Sequence, residues 1–566
     1  MALDEQHGFE RYLTRFNTRH APAYRFDLVV LGGGVAGGLA AITAARRGLE
    51  VALITKSGLT EGNTRYARGG LAAVLSPEDS FDTHLADTLS CGRGLCERDV
   101  AELIVRGGPS SVEFLNSIGT EFDKGPAGDL VLSREGGHTR RRIIHAHGDS
   151  TGLEIQRALT NELRNEKRIT LFPETFAIDL LVDPDGGVEG VLAKTASDNL
   201  VVFGAPDVLL ATGGAGQIYR ETTNPVVATG DGIAMAARAG AQLRDLEFVQ
   251  FHPTCLYIAG AARVLISEIV RGAGGRLIDR DGRAFMANVH PDGDLAPRDV
   301  VSREVFRRMI ETGDTNVYLD ISGVEGDVHA IFPSISRICR VFGMDIASDP
   351  IPVRPGAHYF IGGVTVDDFG RSSLPGLWAV GECASTGLHG ANRMGSNSLL
   401  EGLVMGMRAG EAIHPEVAPV FKKLSFEGVS RSWNHTGDPG LNVNIEDLTY
   451  SLKSMMWREL GVERSVQGMA EAVQKITFWH SVVRGLAESN ERTWTLINML
   501  TVARLTAMSA LAREESRGVH YRSDFPEARD EFLSHTVISP TSDEDHEVAF
   551  HVERSSINAN SSVPNS

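Results

Sequence analysis

The stretch RFDLVVLGGGVAGGLAAITAARRGLEVALITK, Arg25 to Lys56, leaves this chain few folds to choose from. Its apolar run Leu28 to Leu31 is too short for a helix, and Gly32, Gly34 and Gly37 follow at once in GxGxxG spacing. Leu39, Ile42 and Ala45 then keep a helical stripe until Gly48, and Val51 to Thr55 predicts a second strand. The unit is βαβ. Glycine lets the turn approach a ligand closely, and the new helix offers unpaired N–H groups and a positive dipole end to a pyrophosphate. A bound dinucleotide is expected. The acidic residue that usually grips the adenine ribose at the end of the second strand is replaced by Lys56, which argues against a nicotinamide dinucleotide.

A chain of 566 residues has room for two to four domains. Its net charge of -18 excludes nucleic acid or an anionic membrane as the main partner, because both demand a cationic footprint. Any anion site must therefore be locally positive within an acidic whole. The five cysteines, Cys91, Cys96, Cys255, Cys339 and Cys383, form no CxxC pair and are read as reduced thiols. The histidines of the 133–152 segment lack carboxylates at ligand spacing, so no metal site is expected. No apolar run suggests a membrane span, and the first 25 residues have no apolar signal-like core, so the expected location is the cytoplasm.

Three further segments read as parts of the dinucleotide site. Asp207 to Ala211 is an apolar strand running into Thr212, Gly213, Gly214 and Gly216, a second glycine-rich turn. Asp231, in GDG, opens an apolar helix and either caps it or binds the cofactor. Leu377 to Val380 is a strand followed by Glu382 and by a helix whose start, from Ser396, is rich in hydroxyl and amide groups. The predicted architecture is α/β. A discontinuous Rossmann-like domain (26–245 and 360–429) is interrupted by an α+β capping insert (246–359) and followed by a helical domain (430–540). Residues 1–25 are read as an N-terminal extension and 541–566, polar and poor in apolar residues, as a disordered tail.

The motifs EGNTRYARGGLAAV, REGGHTRRRIIHAHGDSTG, LLATGGAG, GDG, FHPT, APRDVVSRE, HYFIGGV and GLHGANRMGSNSLLEGL, in this order, resemble the succinate dehydrogenase and fumarate reductase flavoprotein family over residues 26–535. The resemblance implies FAD. Beside Gly32 and Gly37 of the fingerprint, it assigns cofactor contacts to Gly33, Gly34, Val35, Ala36, Lys56, Asn63, Thr64, Arg65, Tyr66, Ala67, Arg68, Gly69, Gly70, Phe176, Ala177, Asp231, Glu382, Ser398 and Leu399. Membrane-bound relatives tether FAD to a histidine where this chain has Asn63, so a noncovalent flavin is expected. Arg68 stands where glutamine is usual, which leaves its own contact open.

A dicarboxylate needs two separated sets of cationic or donor side chains to replace its lost hydration. Arg393, His252, His358 and Ser267 suit that need, and the resemblance arranges their positions around the substrate, with threonine more usual at 267. Arg298 matches the residue that shuttles a proton in relatives reducing fumarate, with Glu268 as its partner. Glu135 occupies a position where dicarboxylate-specific relatives carry glutamine, and a carboxylate there can hold a substrate ammonium group. The alternative for Glu135 is a pairing with Arg134 or Arg140. The resulting expectation is FAD-dependent oxidation of L-aspartate to iminoaspartate, and the resemblance implies O2 or fumarate as acceptor and quinolinate synthase as the downstream consumer on the route to NAD. The competing readings are a soluble fumarate reductase or succinate dehydrogenase-type flavoprotein and a non-catalytic flavoprotein subunit.

Overall fold

The computed structural model describes residues 8–14, 16–18, 21–259, 263–414, 443–484, 490–544 and 547–557. At its centre lies a five-stranded sheet in the order Leu377–Ala379, Asp207–Leu210, Leu28–Leu31, Val51–Ile54, Ile169–Phe172, with every pairing parallel. These strands are near-continuous apolar runs because a parallel sheet is covered on both faces. The fingerprint helix Val35–Arg46 crosses between the first two of them in sequence. Gly37 seats it: a Cβ there would lie 2.1 Å from the Gly32 carbonyl oxygen. The helix Asn397–Ala412 packs along its other side, where Gly406 and Gly410 bring the two backbones together. This is the Rossmann-like arrangement, in which the carboxyl ends of the strands receive the dinucleotide.

The insert forms its own antiparallel sheet, Val249–Leu256, Ile351–Phe360, Val317–Asp320 and Arg276–Ile278, with the helix Arg298–Thr312 against it. The outgoing strand and the returning one pair directly, so His252 and His358 are brought to the same edge of the insert. The 80–120 segment forms the helices Phe81–Cys91, Arg98–Arg106 and Gly108–Ser117.

Both ends of the chain depart from expectation. Phe9, Tyr12, Leu13 and Phe16, in the supposed extension, are buried in the main core, and Phe9–Glu10 pairs with Glu547–Ser555. The supposed disordered tail instead contributes to a hairpin, His535–Glu544 with Glu547–Ser555, that joins a six-stranded sheet. Val548, Phe550 and Val552 alternate toward the core, and the intervening residues face outward, so a half-buried strand passes for a polar tail in composition. The remainder of that tail, 558–566, and the expected domain junctions near 430 lie outside the described residues.

The C-terminal helices Ile445–Glu459, Val466–Arg484 and Glu491–Ala512 share one hydrophobic core with the strand and helix residues of the dinucleotide unit. The last of them is, contrary to the expectation from hydropathy, long and apolar enough to cross a membrane. It is 78% buried inside the protein over its most apolar window, and it is a core helix.

Candidate functional site

A cavity of about 760 Å³ runs from the fingerprint turn to the insert. Gly32, Gly33, Gly34, Val35, Ala36, Lys56, Asn63, Thr64, Tyr66, Ala67, Arg68, Gly69, Gly70, Phe176, Ala177, Asp231, Glu382, Ser398 and Leu399 all line it. At the turn, the Val35 N–H donates to Thr64 Oγ1 at 3.0 Å and Gln156 Nε2 donates to the Gly33 carbonyl at 3.0 Å, which fixes the cradle. Lys56 donates to Thr229 and Asp231, each at 2.9 Å, and sits over the Phe176 ring at 5.2 Å. Glu382 accepts from the Phe360 N–H at 3.0 Å and from Asn63 Nδ2 at 2.6 Å. Two of the expected contact residues do not line the cavity. Arg65 is exposed and donates to Thr60, and Gly37 serves helix packing. Tyr66 does line it but is half exposed, its hydroxyl donating to Glu61 at 3.0 Å.

These residues fit FAD. The glycine cradle admits backbone-close approach, and among the buried lining atoms without a hydrogen-bond partner in the described residues is Asn63 Oδ1. Asn63 is also an amide rather than an imidazole, so the site offers no histidine at that position for a covalent tether.

At the insert end, the cavity is also lined by His252, Ser267, Glu268, Arg298, His358 and Arg393. Arg298 Nε donates to Glu268 Oε1 at 2.7 Å, and Arg271 approaches the same oxygen at 3.3 Å. Burial would raise the Glu268 pKa, but the charges of Arg298 and Arg271 outweigh it and hold the carboxyl below its ordinary value. The residue that organises the arginines was missed in the sequence. Gln250 Oε1 accepts from Arg298 Nη1 at 3.2 Å and from Arg393 Nε at 3.1 Å, so one amide oxygen sets the spacing of both guanidinium groups. Gln250 lies on the strand that carries His252 of FHPT, but a register shift between Gln250 and Phe251 interrupts the alternation, so no local pattern marks it. Arg393 also donates to Ser398 at 2.9 Å and stacks over the Tyr359 ring at 4.6 Å.

The rings of His252 and His358 meet edge to face at 5.4 Å, and His358 Nδ1 contacts Thr223 Oγ1 at 2.9 Å. Burial first, then the nearby arginines, push both pKa values well below the ordinary value, so both imidazoles are neutral at physiological pH. Ser267 Oγ accepts weakly from the Ile269 N–H at 3.5 Å, which leaves its proton available to donate.

Glu135 is buried, and its Oε2 accepts from Ser396 Oγ at 2.7 Å. Arg134 and Arg140 are exposed, so the local pairing weighed for Glu135 does not occur. A Cβ built on Gly395 would lie 3.0 Å from Arg298 Nη2 and 3.1 Å from Glu135 Oε2, so these two groups converge on one glycine. Burial, then repulsion by Glu268, pushes the Glu135 carboxyl up to about 7. It lines a second cavity, shared with Ser267 and Glu268, that lies between the 133–149 segment and the insert. Arg142, from the basic motif, is instead structural: it is fully buried between Asp79 and Asp87 at 2.8 and 2.6 Å. No group of residues able to hold a metal ion occurs among the described residues.

Residues 27–399 match a family model described as FAD binding domain, and residues 449–564 one described as fumarate reductase flavoprotein C-term. The L-aspartate oxidase of Streptomyces coelicolor is 41% identical over 530 residues, covering 90% of this chain and 91% of its own. That of Mycobacterium tuberculosis is 43% identical over 517 residues, covering 89% and 94%. Among solved structures, a quinol-fumarate reductase with menaquinol molecules superposes with a TM-score of 0.87 at 34% identity, covering 95% and 98%. The adenylylsulfate reductase of Archaeoglobus fulgidus, at 19% identity and a TM-score of 0.73, shares the fold alone. On the site geometry and these similarities together, the chain belongs to the L-aspartate oxidases of the succinate dehydrogenase and fumarate reductase flavoprotein family.

Proposed function

We propose that this protein oxidises L-aspartate to iminoaspartate with FAD, and passes the electrons to O2, giving hydrogen peroxide, or to fumarate, giving succinate. The single observation that carries the choice of substrate is Glu135, a buried carboxylate facing Arg298 at the Gly395 backbone in a site otherwise built for anions. A simple dicarboxylate gains nothing from that carboxylate and is repelled by it, whereas an ammonium group is held.

When bound, FAD supplies the two-electron acceptor for the hydride that leaves the substrate Cα. The chain supplies everything else. Arg393 offers Nη2, and Ser267 and the neutral imidazoles His252 and His358 offer hydrogen bonds, to the two carboxylates. Gln250 keeps the two guanidinium groups at a fixed spacing, so orientation is set before substrate arrives. The amine must be neutral before hydride can leave, and Glu135, titrating near 7, holds the ammonium and is suited to accept its proton. In the fumarate half-reaction Arg298 faces the acceptor. Its guanidinium is held in the charged form by Glu268, so a proton donated from it must be replaced through that carboxylate.

Iminoaspartate is an imine and hydrolyses in water, which favours a consuming partner such as quinolinate synthase on the route to NAD. Five free thiols, four of them buried, suit a reducing compartment such as the cytoplasm. The deciding experiment is anaerobic mixing of the yellow holoprotein with L-aspartate, D-aspartate and succinate. Bleaching by L-aspartate alone is expected. Bleaching by succinate and not by L-aspartate would replace this reading with a dicarboxylate dehydrogenase, and no bleaching by either with a non-catalytic flavoprotein.

A further inference from the structure

Asp231 holds its place in the cofactor cavity through a chain of directed hydrogen bonds that reaches both ends of the sequence. Its Oδ2 accepts from Lys56 Nζ and Thr229 Oγ1, each at 2.9 Å. Its Oδ1 accepts from Asn498 Nδ2 at 2.8 Å, and Asn498 lies on the core helix Glu491–Ala512, none of whose residues lines the cavity. Asn498 is fully buried, and its amide could face either way but for Arg238. Arg238 Nη1 donates to Asn498 Oδ1 at 2.7 Å, and a guanidinium has no acceptor to offer, so the amide must present its NH2 to Asp231. Arg238 is pinned in turn by Asp179, which accepts from its Nη2 at 2.8 Å and its Nε at 3.2 Å. The other oxygen of Asp179 accepts from the Leu13 N–H at 2.7 Å.

Every link in this chain has one donor and one acceptor; Arg238, Asn498 and Thr229 are buried, Asp231 is nearly so, and Lys56 is partly exposed. The two cations Lys56 and Arg238 balance the two carboxylates Asp231 and Asp179, so no net charge is left in the core. A carboxylate free to rotate would lose part of its binding contribution in ordering on ligand arrival, whereas one fixed on both oxygens does not.

We propose that Asn498, oriented by Arg238, is a positioning residue for FAD: it fixes the Asp231 carboxylate and makes the C-terminal helix part of the dinucleotide site. The inference rests on the FAD assignment and adds to it a residue from outside the matched dinucleotide-binding region 27–399.

The test is the FAD dissociation constant of reconstituted apoprotein, read by flavin fluorescence. Asn498→Asp keeps the shape and the acceptor toward Arg238, and it replaces the donor toward Asp231 with a second acidic oxygen that repels that carboxylate. It is expected to raise the constant tenfold or more, equivalent to about 1.4 kcal/mol. Asn498→Leu removes both links and is expected to do at least as much. In an Asp231→Ala background either substitution should change the constant less than threefold, because the group it positions is gone. A folded Asn498→Asp protein, judged by circular dichroism, with wild-type affinity would overturn the proposal. So would an equal loss in both backgrounds, which would mark Asn498 as merely structural. Failure of the wild-type apoprotein to bind FAD at all would instead remove the cofactor assignment beneath it.

Discussion

Replacing Glu135 by glutamine exchanges a buried carboxylate for an amide of nearly the same shape, and the structure gives the change opposite signs for stability and for activity. Ser396 can still donate to the amide oxygen, so the hydrogen bond survives. What disappears is a charge that burial and Glu268 disfavour. The carboxyl titrates near 7 in the folded protein against an ordinary 4.5. At 1.36 kcal/mol per pH unit, that gap is worth roughly 3 kcal/mol. Because the folded-state value is raised, the penalty is absent below pH 4.5, grows between 4.5 and 7 as the unfolded chain ionises first, and is complete above 7. Urea unfolding of the cofactor-free proteins should therefore find Glu135→Gln more stable than wild type by about 3 kcal/mol at pH 8 and by under about 1 kcal/mol at pH 5. Activity moves the other way. Loss of a charge-assisted contact to the substrate ammonium costs about 2–4 kcal/mol, which is roughly 30- to 1000-fold in kcat/KM for L-aspartate. Fumarate reduction, which needs no ammonium contact, should stay within about fivefold. The wild-type kcat/KM for aspartate should rise with pH through about 7, and the variant should lose that limb. Unchanged aspartate turnover in the variant, or a stability difference that ignores pH, refutes the placement of this carboxylate in the chemistry.

Two further outcomes follow from the same geometry. Arg298→Leu takes away the cation that Glu268 and Gln250 hold against the site, so fumarate reduction should fall by about a thousandfold or more while the FAD absorbance spectrum of the purified protein persists; near-normal turnover would dismiss Arg298 from catalysis. Gly37→Ala puts a methyl 2.1 Å from the Gly32 carbonyl oxygen and 2.8 Å from the Ala211 side chain, neither of which can yield. Thermal denaturation should show a loss of more than about 2 kcal/mol together with weakened FAD retention, and a variant as stable as wild type would contradict the close packing of helix on strand.

Much of the cofactor end is legible in the amino-acid sequence, since strand, turn and helix follow from near neighbours: a short apolar run, three glycines at fixed spacing and a helical stripe. The substrate end is legible there only as a set of residue types carried by ordered motifs. That Glu135 turns inward, while Arg134 and Arg140 face solvent, is decided by the hairpin of strands 132–133 and 143–144 and its seat against Ser396. Gln250 carries no signal of its own, because a glutamine beside FHPT has no meaning until Arg298 and Arg393 arrive from 48 and 143 residues away.

The termini mark the boundary between the two kinds of information. Local sequence decides what a segment prefers, and by that measure residues 541–555 favour no packed structure. Tertiary contact decides what a segment is given to pair with, and here the edge at Leu243–Arg244 and the strand Phe9–Glu10 offer unpaired backbone that the hairpin satisfies. The sequence alone thus determined the dinucleotide unit and the class of ligand, through backbone preferences that act over a few residues. The three-dimensional structure alone decided which charges meet, because guanidinium, carboxylate and amide groups far apart along the chain become neighbours only once the sheets have closed.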